Sequence, residues 1–344
     1  MIVSKNIPFI KLMKWSGHHF IWLFLYVGTI TFLYTQNIIN ISIPWLPISV
    51  IGTAVAFYVG FKNSQSYDRL WEARKIWGSI INYSRIWGIF VDGYITNIFT
   101  NREYSETEIY TVKKRLIYRH IAWTYAHRSQ LLMPAEWEHI SQKGHIARTA
   151  KKYQQEYGIG LIDDGITENE IEHYLPEDER NRLINMSNTA TQIINEQSRD
   201  LTDLRIQGLI DDFRHIEMEK MLGNLIEAQG KNERIKNFPF PRQYANMSRY
   251  FTGIFIFLLP FSMIPELSQL GTIGITASVF ITVLVAWIYI MMEVVGDYSE
   301  NPFQGMSNDI PMYSLCRTIE IDLLQMLNEK DIPKKVKSVD DILM

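Results

Sequence analysis

One cysteine in 344 residues, Cys316, excludes an internal disulfide and every metal site built from several thiolates. The eight histidines offer no H-E-x-x-H or comparable ligand spacing, so no metal is expected. His120 and His127 share a helical face only as satisfied or exposed side chains. P-loop, G-x-G-x-x-G and G-x-S-x-G motifs are missing, and with them any specific argument for an enzyme or a bound cofactor. Asp163 and Asp164, and likewise Asp211 and Asp212, are adjacent in sequence, point to different sides and read as solvated. A net charge of −3 gives no global electrostatic argument for nucleic acid. The opening "MIVSKNIPFIKLMKWSGHH" has no short apolar core followed by a small-residue cleavage site, so it does not read as a secretory signal. Alternating strand patterns and internal repeats are also lacking.

What the chain does have is apolar residues gathered into four runs. They cover about His19–Tyr34, Trp45–Phe61, Tyr250–Ile264 and Gly271–Val295. At about 1.5 Å per residue, 17 helical residues span roughly 26 Å, just short of a ~30 Å hydrocarbon core. Any one run could be a buried core helix. Four of them, set as two hairpins, read as membrane spans.

Charge placement orients them. Lys5, Lys11 and Lys14 precede the first run, and the link Gln36–Pro44 carries no charge. Lys62, Arg69, Arg74 and Lys75 follow the second, and Lys231, Arg234, Lys236, Arg242 and Arg249 precede the third. Only Glu266 lies between the third and fourth. The positive-inside rule then puts both termini and the large middle in the cytoplasm; a multi-pass protein of the cell (inner) membrane is expected. Residues 1–61 form an N-terminal segment and first hairpin, 62–249 a helical cytoplasmic domain, 250–295 the second hairpin and 296–344 a cytoplasmic C-terminal segment. Within the middle, "TEIYTVKKRLIYRHIAWTYAHRSQLL" and "DLRIQGLIDDFRHIEMEKMLGNLIEAQG" each carry one apolar helical face, the second through Ile206, Leu209, Phe213, Ile216, Leu222 and Leu225. "YGIGLIDDGITENE" is the expected loop. The fold class is all-α: a polytopic membrane protein with four spans per subunit.

Residues 45–87, placed on one helix, show two stripes at spacing four. Gly52, Ala56 and Gly60 let neighbouring helices approach closely. Ser49, Thr53, Phe57 and Phe61 form the second, which faces a constricted lumen or packs on the companion span. Beyond Phe61 the helix becomes charged and tryptophan-rich. Arg69, Glu72 and Lys75 recur at i, i+3, Asp68 and Glu72 want cations from elsewhere, and Trp71 and Trp77 flank Arg74 within cation–π reach. Exposing several tryptophans together is unusual, so this part of the helix is expected to be buried among cytoplasmic helices or subunits.

The stretch "GFKNSQSYDRLWEARKIWGSIINYSR", with Tyr67, Asp68, Arg69, Trp71, Glu72, Arg74 and Trp77, resembles the pattern of the bacterial bestrophins. "FPFPRQYANMSR" agrees, as does "ENPFQGMSNDIPMYSLCRTIEIDLLQML" with Asn301, Pro302, Phe303, Asn308 and Asp309. The three segments are correctly ordered and cover nearly the whole chain. The resemblance implies a homopentameric ion channel in contact with membrane lipids, with one central pore for small ions. It implies a hydrophobic neck at Thr53, Phe57 and Phe61, wetter at Thr53 than in relatives with an aliphatic residue there. It also implies a cytoplasmic constriction at Leu204 or Arg205; the alternative for Arg205 is an ordinary surface cation paired with Asp203 or Asp212. Animal bestrophins bind calcium at acids after "NPF"; here only Asp309 and the upstream Glu300 are present, so calcium gating is not expected. Chloride or another small anion is the expected passenger. A monovalent cation in the same architecture, and a membrane-anchored helical scaffold, are the alternatives.

Overall fold

In a computed structural model the described residues are mostly α-helical. The structure describes all residues except 8, 142, 144–146, 149, 150, 152–165, 184 and 344. Asp163, Asp164 and most of the expected loop therefore lie outside the described residues. Its last part, 166–170, opens a short helix instead.

The described residues include ten α-helices of defined bounds. They are α1 (Phe9–Thr35), α2 (Trp45–Tyr94), α3 (Glu106–Leu132), α4 (Ile166–Tyr174), α5 (Glu177–Leu183), α6 (Thr189–Ile206), α7 (Asp212–Asn237), α8 (Arg242–Ser268), α9 (Gly271–Ser299) and α10 (Met312–Met326). No strand occurs among them, only isolated bridges joining Ile2 and Val339 to Ile342. The helix α2 runs unbroken for 50 residues, about 75 Å. Pro47 does not interrupt it, because in the first turn its missing N–H would have had no partner.

The chain divides into two compact units, Ser4–Arg69 with Pro239–Asn301, and Met1–Val3 with Leu70–Phe238 and Pro302–Met344. The first holds α1, the start of α2, α8 and α9. Its small core is built by Leu23, Val27, Ile48, Val55, Val59, Phe255, Leu259, Val283 and Ala286. Much of its remaining apolar surface faces outward, including Leu25, Phe32, Leu46, Ile254, Phe257, Ile273 and Phe280. Three helices here, α2, α8 and α9, are long and apolar enough to cross a membrane. Within α8, Pro260 and Pro265 each remove a helical N–H. The Phe261 carbonyl, four residues before Pro265, takes its hydrogen bond from the Ile43 amide instead (3.0 Å).

The second unit is built around α3. This helix starts in a capping box, the Ser105 hydroxyl accepting from the Glu108 amide while Glu108 returns to the Ser105 amide. From Leu116 onward it is buried on almost every side by α2, α4, α6, α7 and α10. The expected single helix over 203–230 is two helices. α6 ends at Ile206, Gly208 turns at φ +75°, and α7 begins at Asp212. A side chain at position 208 would lie 2.9 Å from the Phe99 carbonyl, so the break is needed for both conformation and space. Asp211 caps α7 by accepting from the Arg214 amide, which corrects its reading as a solvated acid. The face continues correctly through Leu209, Leu222 and Leu225, whereas Ile206, Phe213 and Ile216 are exposed.

Candidate functional site

The two stripes on α2 separate in the structure. Its buried face runs Ile48, Gly52, Val55, Val59, Lys62 and Ser66, spacings of three and four that follow the 3.6-residue turn. Gly52 stands where close packing demands it. A Cβ there would lie 2.8 Å from the Phe255 ring, and the Tyr289 hydroxyl donates to the Gly52 carbonyl (3.0 Å). A strict spacing of four drifts by about 40° per step, so Ala56 is half-buried and Gly60 has come round to the exposed side with open space at its Cα. Within the subunit only Gly52 does what the small-residue stripe was expected to do.

Thr53, Phe57 and Phe61 share the opposite, exposed face; Phe57 and Phe61 leave 69% and 58% of their surface uncovered. Their rings meet edge to face at 4.8 Å. The Thr53 hydroxyl donates back to the Ser49 carbonyl (2.9 Å), which spends its proton and leaves its methyl outward. Together with Val50, Ala54 and Tyr58 these residues line an open groove.

Past Phe61, Trp77 and Trp87 are fully buried, as the argument against exposed tryptophans requires, but Trp71 remains half-exposed. Trp77 stacks on His127 (5.7 Å). Glu72 takes its cation from α7, pairing with Arg234 at 2.7 Å. The two histidines discounted as ligands complete a ladder of five buried rings, Trp87–His120–Trp123–His127–Trp77, with centroids 5.3–6.1 Å apart. His120 Nε2 lies 2.9 Å from the Ser84 hydroxyl and His127 Nε2 lies 3.1 Å from the Asn232 amide. Burial pushes both imidazoles down to about 3.

At the other expected constriction, Leu204 lies in the core of its unit with no exposed surface, so its side chain cannot line a lumen. Arg205 is exposed and pairs with Asp212. Ile206, three-quarters exposed beside it, is the apolar side chain that faces out. Sequence reading missed it by assigning it to a continuous helical face.

The "NPF" segment is a turn, with Phe303 buried at φ +72° and Gly305 at φ +79°. Asp309 sets it, accepting from the amides of Phe303 (3.0 Å), Gly305 (2.9 Å) and Ile310 (2.7 Å). These bonds engage both carboxylate oxygens of a side chain that is itself buried. Asn301 and Pro302 are buried and Asn308 half-buried, while Glu300 accepts from Arg242 (3.3 Å) and Asn301 (3.1 Å). Tyr67 and Asp68 are exposed, and Arg69 and Arg74 half-buried. Cys316 is buried against the Thr124 carbonyl, its thiol pushed up to about 12 by that burial.

The family model described as "Bacterial/Fungal Bestrophin protein" matches residues 19–325. The voltage-dependent anion channel-forming protein YneE of Escherichia coli K12 is 25% identical over 298 residues, 87% of this chain and 82% of its own. A protein of the same description from Synechocystis is 23% identical over 286 residues, 83% of this chain and 78% of its own. The crystal structure of a bacterial bestrophin homologue from Klebsiella pneumoniae, solved by zinc phasing, superposes with a TM-score of 0.69 at 22% identity, covering 91% of this chain and 99% of that one. A single-site variant of that homologue gives 0.72 at 21% identity, with the same coverage. At these identities the structural likeness is one of fold.

Proposed function

This chain belongs to the bacterial and fungal bestrophin family, and from that premise we propose that five copies form an anion channel in the cell's inner membrane. The observation that carries the reading is the outward set of Thr53, Phe57 and Phe61 on α2, opposite the face that packs on its own subunit. One subunit has too few spans to enclose a lumen, whereas five α2 helices around an axis do. Thr53 then opens the neck, and Phe57 and Phe61 form its narrow rings. Phenyl rings offer a passing ion no ligands, so a tight ring costs hydration energy and can dewet. Gly60 is left to pack on the neighbouring subunit. Arg205 lies at the cytoplasmic constriction, where five guanidiniums favour anions through their local field, tempered by Asp212.

Four spans follow if α1 crosses with α2, α8 and α9; its runs of Leu, Phe, Ile and Val, and its outward Leu25 and Phe32, support this. Lysines and arginines at one end of each hairpin put both termini in the cytoplasm. The segments 1–61 and 250–295 are then the membrane hairpins, with 62–249 and 296–344 cytoplasmic. The channel has no catalytic role; lipids and small ions are its partners besides its own copies.

In liposomes the purified protein should pass chloride, with a reversal potential in asymmetric salt that follows the anion. Its mass in detergent should be five times the 40.3 kDa of one chain. Phe57→Ala and Phe61→Ala should each raise current severalfold, and Ile51→Ala, on another face, should not. A stable monomer or dimer would remove the ring, and unchanged currents in assembled phenylalanine variants would make the stripe mere packing. A cation-following potential would assign the other passenger.

Opening should not depend on calcium. The ion needs six to eight oxygens, and Asp309 already spends its own on three backbone amides. Currents in chelator and in micromolar calcium should coincide; a clear activation by calcium would reveal a site built from other oxygens.

A further inference from the structure

Immediately after Phe61 comes a lysine that an apolar gate does not need. The Lys62 side chain has no exposed surface, and its ammonium donates to Glu293 (2.6 Å) and to Asp297, both on α9. The other oxygen of Glu293 accepts from the Ser248 hydroxyl, and that of Asp297 accepts from Arg249 (3.0 Å), both on α8. Two carboxylates one turn apart thus tie three helices together. The neighbouring Asn63 amide donates to the Met292 carbonyl (2.9 Å). A Cβ on Gly296 would lie 2.0 Å from Asn63 Oδ1 and 3.7 Å from Lys62 Cε, so only glycine lets the lysine stem and Asn63 lie so close to α9.

Stability alone is a poor reason for this arrangement, because replacing a buried ion pair by apolar residues is often neutral or stabilising. What a buried pair supplies that leucines do not is a defined register. An apolar seam tolerates a small slide or rotation of a helix, whereas the same movement here strands a charge without its partner. Lys62 stands about 100° around α2 from Phe61 and about 140° from Phe57. Turning α2 enough to release the lysine therefore swings both rings by the same angle. At a side-chain radius of ~6 Å, a 20° turn moves a ring by ~2 Å.

We infer that Lys62, Glu293 and Asp297 are the positioning residues of the neck, locking the rotation and register of α2 so that Phe57 and Phe61 are held at the axis. This rests on the reading of α2 as the neck helix. In single-channel recordings the neutral triple variant Lys62→Met, Glu293→Gln, Asp297→Asn should assemble and melt near wild type. It should keep the wild-type reversal potential yet shift open probability by about fivefold or more, the lower end of couplings between linked sites. Exchanging the pair, Lys62→Glu with Glu293→Lys, should restore much of the wild-type value. Gly296→Ala, which keeps every charge, should shift it in the same direction as the triple variant. Wild-type gating in the triple variant and in Gly296→Ala would overturn the inference.

A readout without flux separates this claim from the channel reading. With Phe57→Cys added, labelling by a charged thiol reagent should change rate when the lock is neutralised; buried Cys316 does not compete. If wild type is silent in liposomes but labelling still changes, the channel reading falls and the lock stands. Equal labelling rates in locked and neutralised proteins would remove the lock, whatever the currents.

Discussion

Lowering the pH from 6.5 to 5 should cost the folded protein on the order of 4 kcal/mol, read as a fall in the denaturation midpoint followed by tryptophan fluorescence. The source is the ring ladder in the second unit. Unfolded histidine takes up a proton near pH 6.5, while His120 and His127, sealed among Trp77, Trp87 and Trp123, resist it down to about 3. Ser84 already donates its only proton to the Ile80 carbonyl (2.7 Å), so His120 Nε2 must be the donor to Ser84. Its Nδ1, like that of His127, is buried with no partner among the described residues. Protonating His120 there would add a charge and an N–H with no acceptor, and protonating His127 at Nε2 would set its new N–H against the donating Asn232 amide nitrogen. Above pH 6.5 both states are neutral and stability is flat. Between 6.5 and 3 only the unfolded chain binds the protons, so stability falls with pH by about 1.4 kcal/mol per unit for each histidine. The raised carboxyls of Glu138 and Glu320, held up by burial, act in the opposite sense nearer the carboxylate range. Replacing His120 and His127 together with glutamine should flatten the slope. A wild-type midpoint that does not move between pH 6.5 and 5 would show that water reaches the ladder.

Glu320→Ala should lower stability by about 3–5 kcal/mol, a loss of roughly 10 °C in melting temperature for a unit of this size. Glu320 is the last residue of "CRTIE" and its carboxylate is almost wholly buried. One oxygen accepts the Tyr125 hydroxyl (2.6 Å), the other accepts that of Tyr174, and Arg317 pairs with it at 3.1 Å. Arg317 continues to Glu170 (2.6 Å) and the Tyr313 hydroxyl (2.9 Å), with Arg128 over the Tyr313 ring. Burial and the Glu320 charge hold the Tyr125 phenol protonated far above its usual range. Alanine would strip the acceptor from two buried phenols at once. Glutamine keeps one carbonyl and should cost only about 1–2 kcal/mol. A loss below ~1 kcal/mol for alanine would mean that the tyrosines find water or other acceptors.

Both predictions rest on residues whose importance the sequence concealed. The long apolar runs, the charge that follows them and the tryptophans of α2 were legible, because hydropathy and helical period are local properties. The break at 207–211 was missed because Ile206 and Phe213 keep the helical period across it; the signal that could have found it is Gly208 followed by the cap at Asp211. Lys62 read as one more positive-inside cation because its partners lie 231 and 235 residues away. His120 and His127 failed every ligand pattern and are packing partners of indole rings, two of which, Trp77 and Trp87, come from α2. A partner brought in by tertiary folding leaves no trace in spacing.

The Ile43 amide bonded to the Phe261 carbonyl shows how such a partner can nevertheless be indifferent to sequence. Every amino acid but proline carries that donor, so position 43 is free to drift through almost the whole alphabet without losing the contact. Position 265 is not. Any residue other than proline would bring its own amide into competition for the same carbonyl. Substitutions at 43 should therefore keep this bond and cost only what the half-buried Ile43 side chain gains by packing on the unit's core, while those at 265 loosen the turn between the first two helices from α8. The inheritance of this junction lies in one imino acid and an anonymous stretch of backbone.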